Sequence, residues 1–377
     1  MSDKKIGLIT IHRANNYGAF LQAFATQEFL KKFGDVEIID YKNSKLESSF
    51  DLVRVNSYSL RGLMGIIKDL LRLVPRSRVI KKFKLDINEK YNLSKRLDFK
   101  ELDFYAKEKF DVLVSGSDQI WNPVCVSKND MLDPVYLLNF GKVTAKRISY
   151  ASSMGAFEVD NKNHPLLVES LNNYSSISVR EIERKKEIEN WIDKSVSHVL
   201  DPTLLLSSSE WLSRFPHKSL RVSQLSKKKY ILFYSVPKVK QTRRVLEYFS
   251  KLTGYEVVSI DQDIYPFYKA KNKLRDASIG EFLHLFNNAE YIITDSFHGV
   301  CFSLIFRKNF FAVSPGKLSN RIVSLLSVVG LTERLIKGAD CINKNNITSI
   351  DYNSNNIEDK IELAINNSKS FLESAFK

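Results

Sequence analysis

Cysteine is scarce in this chain. Cys125, Cys301 and Cys341 are widely separated, odd in number and nowhere at metal-ligand spacing. A disulfide framework and a zinc site are therefore not expected, and a reducing compartment fits. Long apolar runs are absent too. The stretch inside "MSDKKIGLITIH" is too short for a signal peptide or a membrane span, and no later stretch has the length of a transmembrane helix. These absences lead to the expectation of a soluble, cytoplasmic protein. There is no G-x-G-x-x-G fingerprint and no Walker sequence, so nicotinamide cofactors and ATP lose ground. The lack of a G-x-S-x-G elbow and of H-E-x-x-H removes support for hydrolase triads and zincins.

What is present is an excess of one charge. Lys and Arg number 57 against 43 Asp and Glu, a formal net charge of +14. That balance favours anionic partners: nucleic acid, an anionic lipid surface or phosphorylated small molecules. No module interleaves basic with aromatic residues, so nucleic acid is not expected. Two clusters stand out. "REIERKKEIE" (180–189) alternates in sign and reads as a solvated helix face. Residues 70–84 mix Leu70, Leu71, Leu73, Val74, Val79, Ile80 and Phe83 with six Lys or Arg. They read either as a basic amphipathic segment on a membrane surface or as a surface helix pair broken at Pro75.

Strands and helices alternate along the chain. "KIGLITI" (5–11) is a β-branched apolar run. In the segment after it, Phe20, Leu21, Phe24, Ala25, Phe29 and Leu30 recur at helical spacing, with Gly34 as the stop, and "VEIIDY" (36–41) is again a strand. Such a β-α-β unit builds a parallel sheet. Further strands are expected within 110–121, 146–155, 175–181 and 197–206. The grammar restarts at Lys229 with strands at 229–236, 255–260, 290–296 and 309–314. Helices are expected at 242–254, 278–289, 320–330 and 357–377, the third of these strands running into another helix; Ser278 and Glu281 make a capping box. The fold class is thus α/β, with two Rossmann-like doubly wound domains, 1–206 and 207–377. They meet in a polar, irregular stretch, with a terminal helix that packs back on the first domain.

Doubly wound domains bind ligands at the carboxyl ends of their strands, and two such domains facing each other do so in the cleft between them. Those ends hold most of the Gly-Ser-Asp-Asn clusters of this sequence. "IHRANNYG" brings Asn16 and Tyr17. "SGSDQIWNP" brings Ser117 for a hydroxyl, Asp118 for a carboxylate and Trp121 for stacking on a sugar; a helix-capping Asp118 and a core Trp121 remain the alternative. Arg180 directly follows a strand and can fork onto a carboxylate or phosphate, or pair with Glu181 or Glu183 on the surface. "TDSFHG" places Ser296, Phe297 and His298 where a strand turns into a helix. A helix start suits an anion, and a histidine there suits proton transfer; a helix-capping histidine is the alternative. "SPGKLSNR" supplies Lys317 and Arg321.

"IHRANNYGAFLQAFATQEFLKKFGDVEIIDY", "DVLVSGSDQIWNP", "RISYASSMG", "ISVREIE", "HVLDPTLLL" and "EYIITDSFHGVCFSLIFRKNFFAV" follow one another in an order that resembles the polysaccharide pyruvyl transferase family over residues 5–330. The resemblance implies a glycosyltransferase-B-like pair of domains, acceptor on the first and donor on the second. It implies transfer of the enolpyruvyl part of phosphoenolpyruvate to two hydroxyls of a sugar, free or lipid-linked, with no metal and no cofactor beyond the donor. The turn histidine of the family maps to His298, with Asp118 as second proton-transfer partner, and a strand-end arginine maps to Arg180. Several members have Arg-Leu-His where this chain has Ser296-Phe297-His298, which leaves Lys317 or Arg321 to supply the missing charge. A glycosyltransferase using a nucleotide sugar on the same two-domain plan is the rival reading.

Overall fold

The computed structural model describes residues 4–53, 60–262, 268, 270–342, 349–353 and 356–377. The chain divides into two compact units. The first comprises Met1–Ser49, Asp86–Leu205 and Ile361–Lys377; the second comprises Phe50–Leu85 and Leu206–Lys360. The division near residue 206 coincides with the boundary expected from composition. The last seventeen residues belong to the first unit, in line with the expected return of the terminal helix, whereas the expectation that residues 50–85 belong to the first domain is corrected: they belong to the second unit.

The first unit is built on parallel strands β1 (Lys5–Ile9), β2 (Asp35–Ile38), β3 (Val112–Ser115), β4 (Lys146–Ser149), β5 (Ile177–Val179) and β6 (Val196–His198). The order is β2-β1-β3-β4, with β5 and β6 paired beside it. Single bridges, Ile148 with Ser176 and Ser152 with Val179, join β4 to β5. Between these two strands serine side chains stand in for ladder bonds. Ser149 Oγ donates to Ser178 O and accepts from Ser178 N, while Ser178 Oγ donates to Ser149 O and accepts from Ala151 N. Helix α1 (Tyr17–Leu30) is buried on nearly every side, so its glutamines are satisfied from within. Gln22 Nε2 donates to Ile11 O, and Gln27 accepts from Asn92 N and donates to Lys90 O. Gly34 is not the stop of this helix, which ends four residues earlier. A Cβ there would meet Lys4 O at 2.2 Å, so glycine answers a close backbone approach. The terminal helix, Ile357–Phe376, joins this unit through Ser368 Oγ, which accepts from Leu200 N, and through Phe376, stacked on Phe33.

The second unit contains helix α2 (Leu60–Leu71) and most of helix α3 (Leu73–Lys90), whose residues from Asp86 onward belong to the first unit. Its six-stranded parallel sheet contains β7 (Tyr230–Tyr234), β8 (Glu256–Ile260), β9 (Asn272–Leu274), β10 (Tyr291–Thr294), β11 (Asn309–Val313) and β12 (Leu335–Ile336). The order is β12-β11-β10-β7-β8-β9. Read from the other edge and counted from β7, this is 3-2-1-4-5-6, the Rossmann order. Helices α4 (Lys240–Thr253), α5 (Ile279–Asn288), α6 (Phe297–Ile305) and α7 (Asn320–Val329) connect or cover the strands. Ser278 and Glu281 cap α5 reciprocally. Residues 207–228 are not irregular: they form helices Ser208–Arg214 and Leu220–Leu225, and Trp211 is fully buried against Phe302. Among the described residues no helix is long and apolar enough to cross a membrane.

Candidate functional site

In an open parallel sheet the crevice forms where strand order reverses, outside the carboxyl ends of the two strands concerned. In the second unit those strands are β7 and β10. "TDSFHG" leaves β10 at this point. Ser296 is extended and caps α6, accepting from Gly299 N at 3.4 Å, and His298 stands in the first turn of the helix. Thr294 Oγ1 donates to Tyr234 O at the end of β7 and accepts from Ser296 N. A Cβ on residue 299 would lie 2.2 Å from that hydroxyl, so only glycine lets the helix start this close to the strand. Asp295 is buried and ties the two strand ends together. It accepts from Ser235 Oγ at 2.6 Å, Val236 N at 2.9 Å, Thr242 Oγ1 at 2.9 Å and Val239 N at 3.3 Å.

Phe297 and His298 are both buried, their rings edge to face at 5.3 Å. The Arg321 guanidinium, from the first turn of α7, lies 5.4 Å from the centre of the Phe297 ring. A cation thus sits at the turn that holds the histidine, three-dimensionally close although 23 residues on. Lys317 falls in the short 3-10 turn Gly316–Ser319, and its side chain lies outside the described residues.

In the first unit the order reverses between β1 and β3. Asn16 caps α1, accepting from Ala19 N, and Tyr17 begins the helix and is buried. Thr10 Oγ1 donates to Ser117 O at 2.9 Å, joining the two strand-end loops. Asp118 has φ +73°, a left-handed conformation that costs energy in a residue with a side chain and tends to mark functional turns. Ser117 Oγ donates to Asp201 at 3.0 Å. Asp201 also accepts from Arg180 and from both the amide and the hydroxyl of Thr203.

Two expectations are corrected here. The Arg180 guanidinium is not presented at the strand end for a ligand: it is enclosed, with Asp201 at 2.5 Å and Asp118 at 3.4 Å. Burial alone would lower its pKa, but Asp201, Asp118 and Glu181 together raise it. Its evident task is to hold Asp118 and Asp201. Trp121 offers no face to a sugar. It is completely buried, donating from Nε1 to Tyr136 O and packing edge-on against Tyr174.

One cluster escaped the reading of the sequence. Asp40, just past β2, accepts from His12 Nε2 at 3.1 Å and from Arg13 Nε and Nη2 at 2.6 and 2.5 Å. His12 Nδ1 faces Thr10 O at 3.0 Å. Burial pushes the Asp40 carboxyl up, but the hydrogen bonds from Arg13 and His12 outweigh it and hold the group well below the ordinary carboxylate range. The cluster pins the β1–α1 loop that carries Asn16. Its only trace in the sequence is that "IHR" and "IIDY" both lie at strand ends; adjacency of β1 and β2 brings them together. Among the described residues no group of three or more His, Cys, Asp or Glu side chains is arranged to hold a metal.

No curated protein sequence matches the chain. Among solved structures, the UDP-N-acetylglucosamine 2-epimerase of Rickettsia bellii is similar at 11% identity and TM-score 0.52, covering 99% of this chain and 97% of that one. The Methanocaldococcus jannaschii UDP-GlcNAc 2-epimerase, solved with UDP-GlcNAc and UDP, is similar at 13% identity and TM-score 0.51, covering 98% of each chain. A protein from Listeria monocytogenes described as a UDP-N-acetylglucosamine 2-epimerase gives 8% identity and TM-score 0.51, covering 100% of this chain and 96% of that one. At such identities the likeness is one of fold, the glycosyltransferase-B type. A family model described as polysaccharide pyruvyl transferase matches residues 16–317.

Proposed function

Since the chain belongs to the polysaccharide pyruvyl transferase family, we propose that it transfers the enolpyruvyl group of phosphoenolpyruvate to two hydroxyls of one sugar, free or lipid-linked, as a cyclic ketal. The observation that carries this reading is the turn after β10. His298 stands there in the first turn of α6, at the strand-order reversal, with the Arg321 cation against its neighbour Phe297. A donor that carries both a carboxylate and a phosphate needs cationic and N–H groups, and a helix start together with an arginine supplies both.

The reaction makes and breaks few bonds. A proton adds to the methylene carbon of phosphoenolpyruvate, which becomes a methyl group and leaves a cationic centre at C2. A sugar oxygen bonds to C2 and gives up its proton. The C2–O bond to phosphate then breaks, and the second hydroxyl adds to C2, losing its proton in turn. Of the two protons released, one balances the proton taken up by carbon and the other leaves on phosphate or in solvent. His298 performs one proton transfer and Asp118 is the candidate for another. Arg321 takes the place of the arginine that several family members carry before the histidine, and Arg180 acts through Asp118 rather than on the donor.

His298→Gln tests the reading. The glutamine keeps a polar side chain at the turn but cannot shuttle a proton, so phosphate release from phosphoenolpyruvate with a panel of sugar acceptors should fall ~100- to 10,000-fold. The melting temperature should stay near that of the parent. An active His298→Gln enzyme whose melting temperature has dropped would show a residue that packs the first turn of the helix instead, Ser296 being its cap. The rival, transfer from a nucleotide sugar, is separated by ligand-induced thermal stabilisation: UDP-GlcNAc and not phosphoenolpyruvate would then raise the melting temperature.

A further inference from the structure

Helices α2 and α3 run on from one another, with only Arg72 between them, and they are turned the wrong way round for a soluble surface. Ile67, Leu70, Leu71 and Val74 follow the i, i+3, i+4, i+7 spacing of one helical face, and they are 49, 50, 53 and 60% exposed. Three charged residues of the same stretch, Asp69, Arg72 and Arg76, are buried instead. Asp69 and Arg72 are buried and paired, and buried Arg76 donates from Nε to Asp51 O at 2.8 Å. The rotation is set further along, where Val79, Ile80, Phe83 and Ile87 of α3 are buried. With that face held in the core, continuing the helical spacing backwards brings Ile67, Leu70, Leu71 and Val74 outward.

Arg78, Lys81 and Leu85 extend the same exposed stripe at i+11, i+14 and i+18 from Ile67, all three exposed. Among the described residues Arg78 makes a loose contact with Asp276 at 3.7 Å. Residues 60–85 hold eight Lys or Arg against one acidic residue. We propose that this stripe docks on an anionic lipid bilayer, with α2 and the start of α3 lying in the plane of the headgroups. Ile67, Leu70, Leu71 and Val74 enter the acyl boundary, and Arg78 and Lys81 meet lipid phosphates. The alternation of an apolar stretch with cations along one face fits a surface that is apolar below and anionic above. Nucleic acid would leave the four aliphatic side chains in water. The proposal does not rest on the reaction proposed above and is tested without it.

The full chain is sedimented with vesicles of phosphatidylcholine alone and of phosphatidylcholine mixed with phosphatidylglycerol. It should pellet with the anionic vesicles, less so in raised salt, and stay in solution with the neutral ones. Arg78→Ser with Lys81→Ser should weaken partitioning about fivefold per cation removed. Leu70→Gln with Leu71→Gln should weaken it roughly tenfold or more. Both double variants should keep the parent's melting temperature, because the side chains replaced are exposed. As an independent reading that needs no loss of an apolar group, Leu71→Trp should show a blue-shifted emission component on anionic vesicles only. The proposal is overturned if the parent ignores anionic vesicles at low salt, or if both double variants bind as the parent does. It is equally overturned if sedimentation velocity shows a dimer that Leu70→Gln with Leu71→Gln dissociates while vesicle binding stays unchanged, since the stripe would then belong to a second copy of the chain.

Discussion

Asp40 shows how one side chain sets a pH limit on this protein. Its folded pKa lies below that of the unfolded chain because Arg13 and His12 hydrogen-bond its ionised form. The stabilisation is therefore complete above the unfolded value of about 4 and is lost as pH falls towards the lower folded value. Acid denaturation followed by circular dichroism should show stability declining through that window. Asp40→Asn should be less stable at neutral pH and should flatten the decline; an unchanged acid limb would mean that other carboxylates govern it. Arg180 makes a different demand. Arg180→Ala would leave Asp118 and Asp201 without their buried counter-charge, a loss typically of about 3–5 kcal/mol, visible as a lowered denaturation midpoint. If stability were untouched, the guanidinium would not be holding the two carboxylates. Gly299→Ala forces a methyl group against Thr294 and should cost ~1–3 kcal/mol, read in the same way. His298, Asp118 and Arg180 could be picked out by type and strand-end position. Their surroundings could not, because Arg180 meets Asp201 and Arg13 meets Asp40 only through the lateral pairing of parallel strands.

Among the elements, the loop from Ser235 to Val239 depends on a carboxylate outside itself. Helix α4 begins at Lys240 with no side-chain cap of its own, and Asp295 accepts from three residues of the loop and from Thr242 in the first turn. Asp295→Asn turns one acceptor into a donor facing donors. It should loosen this loop and raise amide exchange at Val236 and Val239, while the β7 amides, bonded within the sheet, stay protected; equal protection in both proteins would rule out the clamp. The strands were legible from their apolar, β-branched runs, but they end sooner than those runs suggest. In β4 the reading extended to 155, whereas the ladder stops at Ser149. Beyond it Ala151 turns at φ +54° and serine side chains replace backbone partners. Polar residues at a strand end continue its hydropathy pattern without continuing its pairing. The short β9 carried no such pattern and was missed.

For the whole molecule, the restart of strand-helix alternation located the second sheet, and the match of the family to residues 16–317 accords with the motif order read from the chain. The crossings of the chain between the units were only half legible. Residues 50–85 look locally like any amphipathic helix pair, and nothing in their spacing says which sheet they will join. The terminal helix is the more consequential crossing. Ser368 supplies the acceptor for Leu200 N, Lys4 Nζ donates to Phe376 O, and Phe371 and Phe376 lie against Tyr150 and Phe33. Deleting residues 357–377 should therefore expose the first unit to proteolysis and lower its unfolding temperature, with cleavage sites mapping to that unit; cleavage confined to the second unit would refute this.

That helix also fixes an order of assembly during synthesis. The first unit has all six of its described strands by His198, yet its last helix is encoded after the whole second unit. At ~5–20 residues per second, the ribosome needs roughly 8–30 s to translate the intervening residues. Through that interval the surface awaiting Phe371 and Phe376 stays open on the nascent chain, a window for chaperones to act, while the second unit gains all of its own segments before the first is closed.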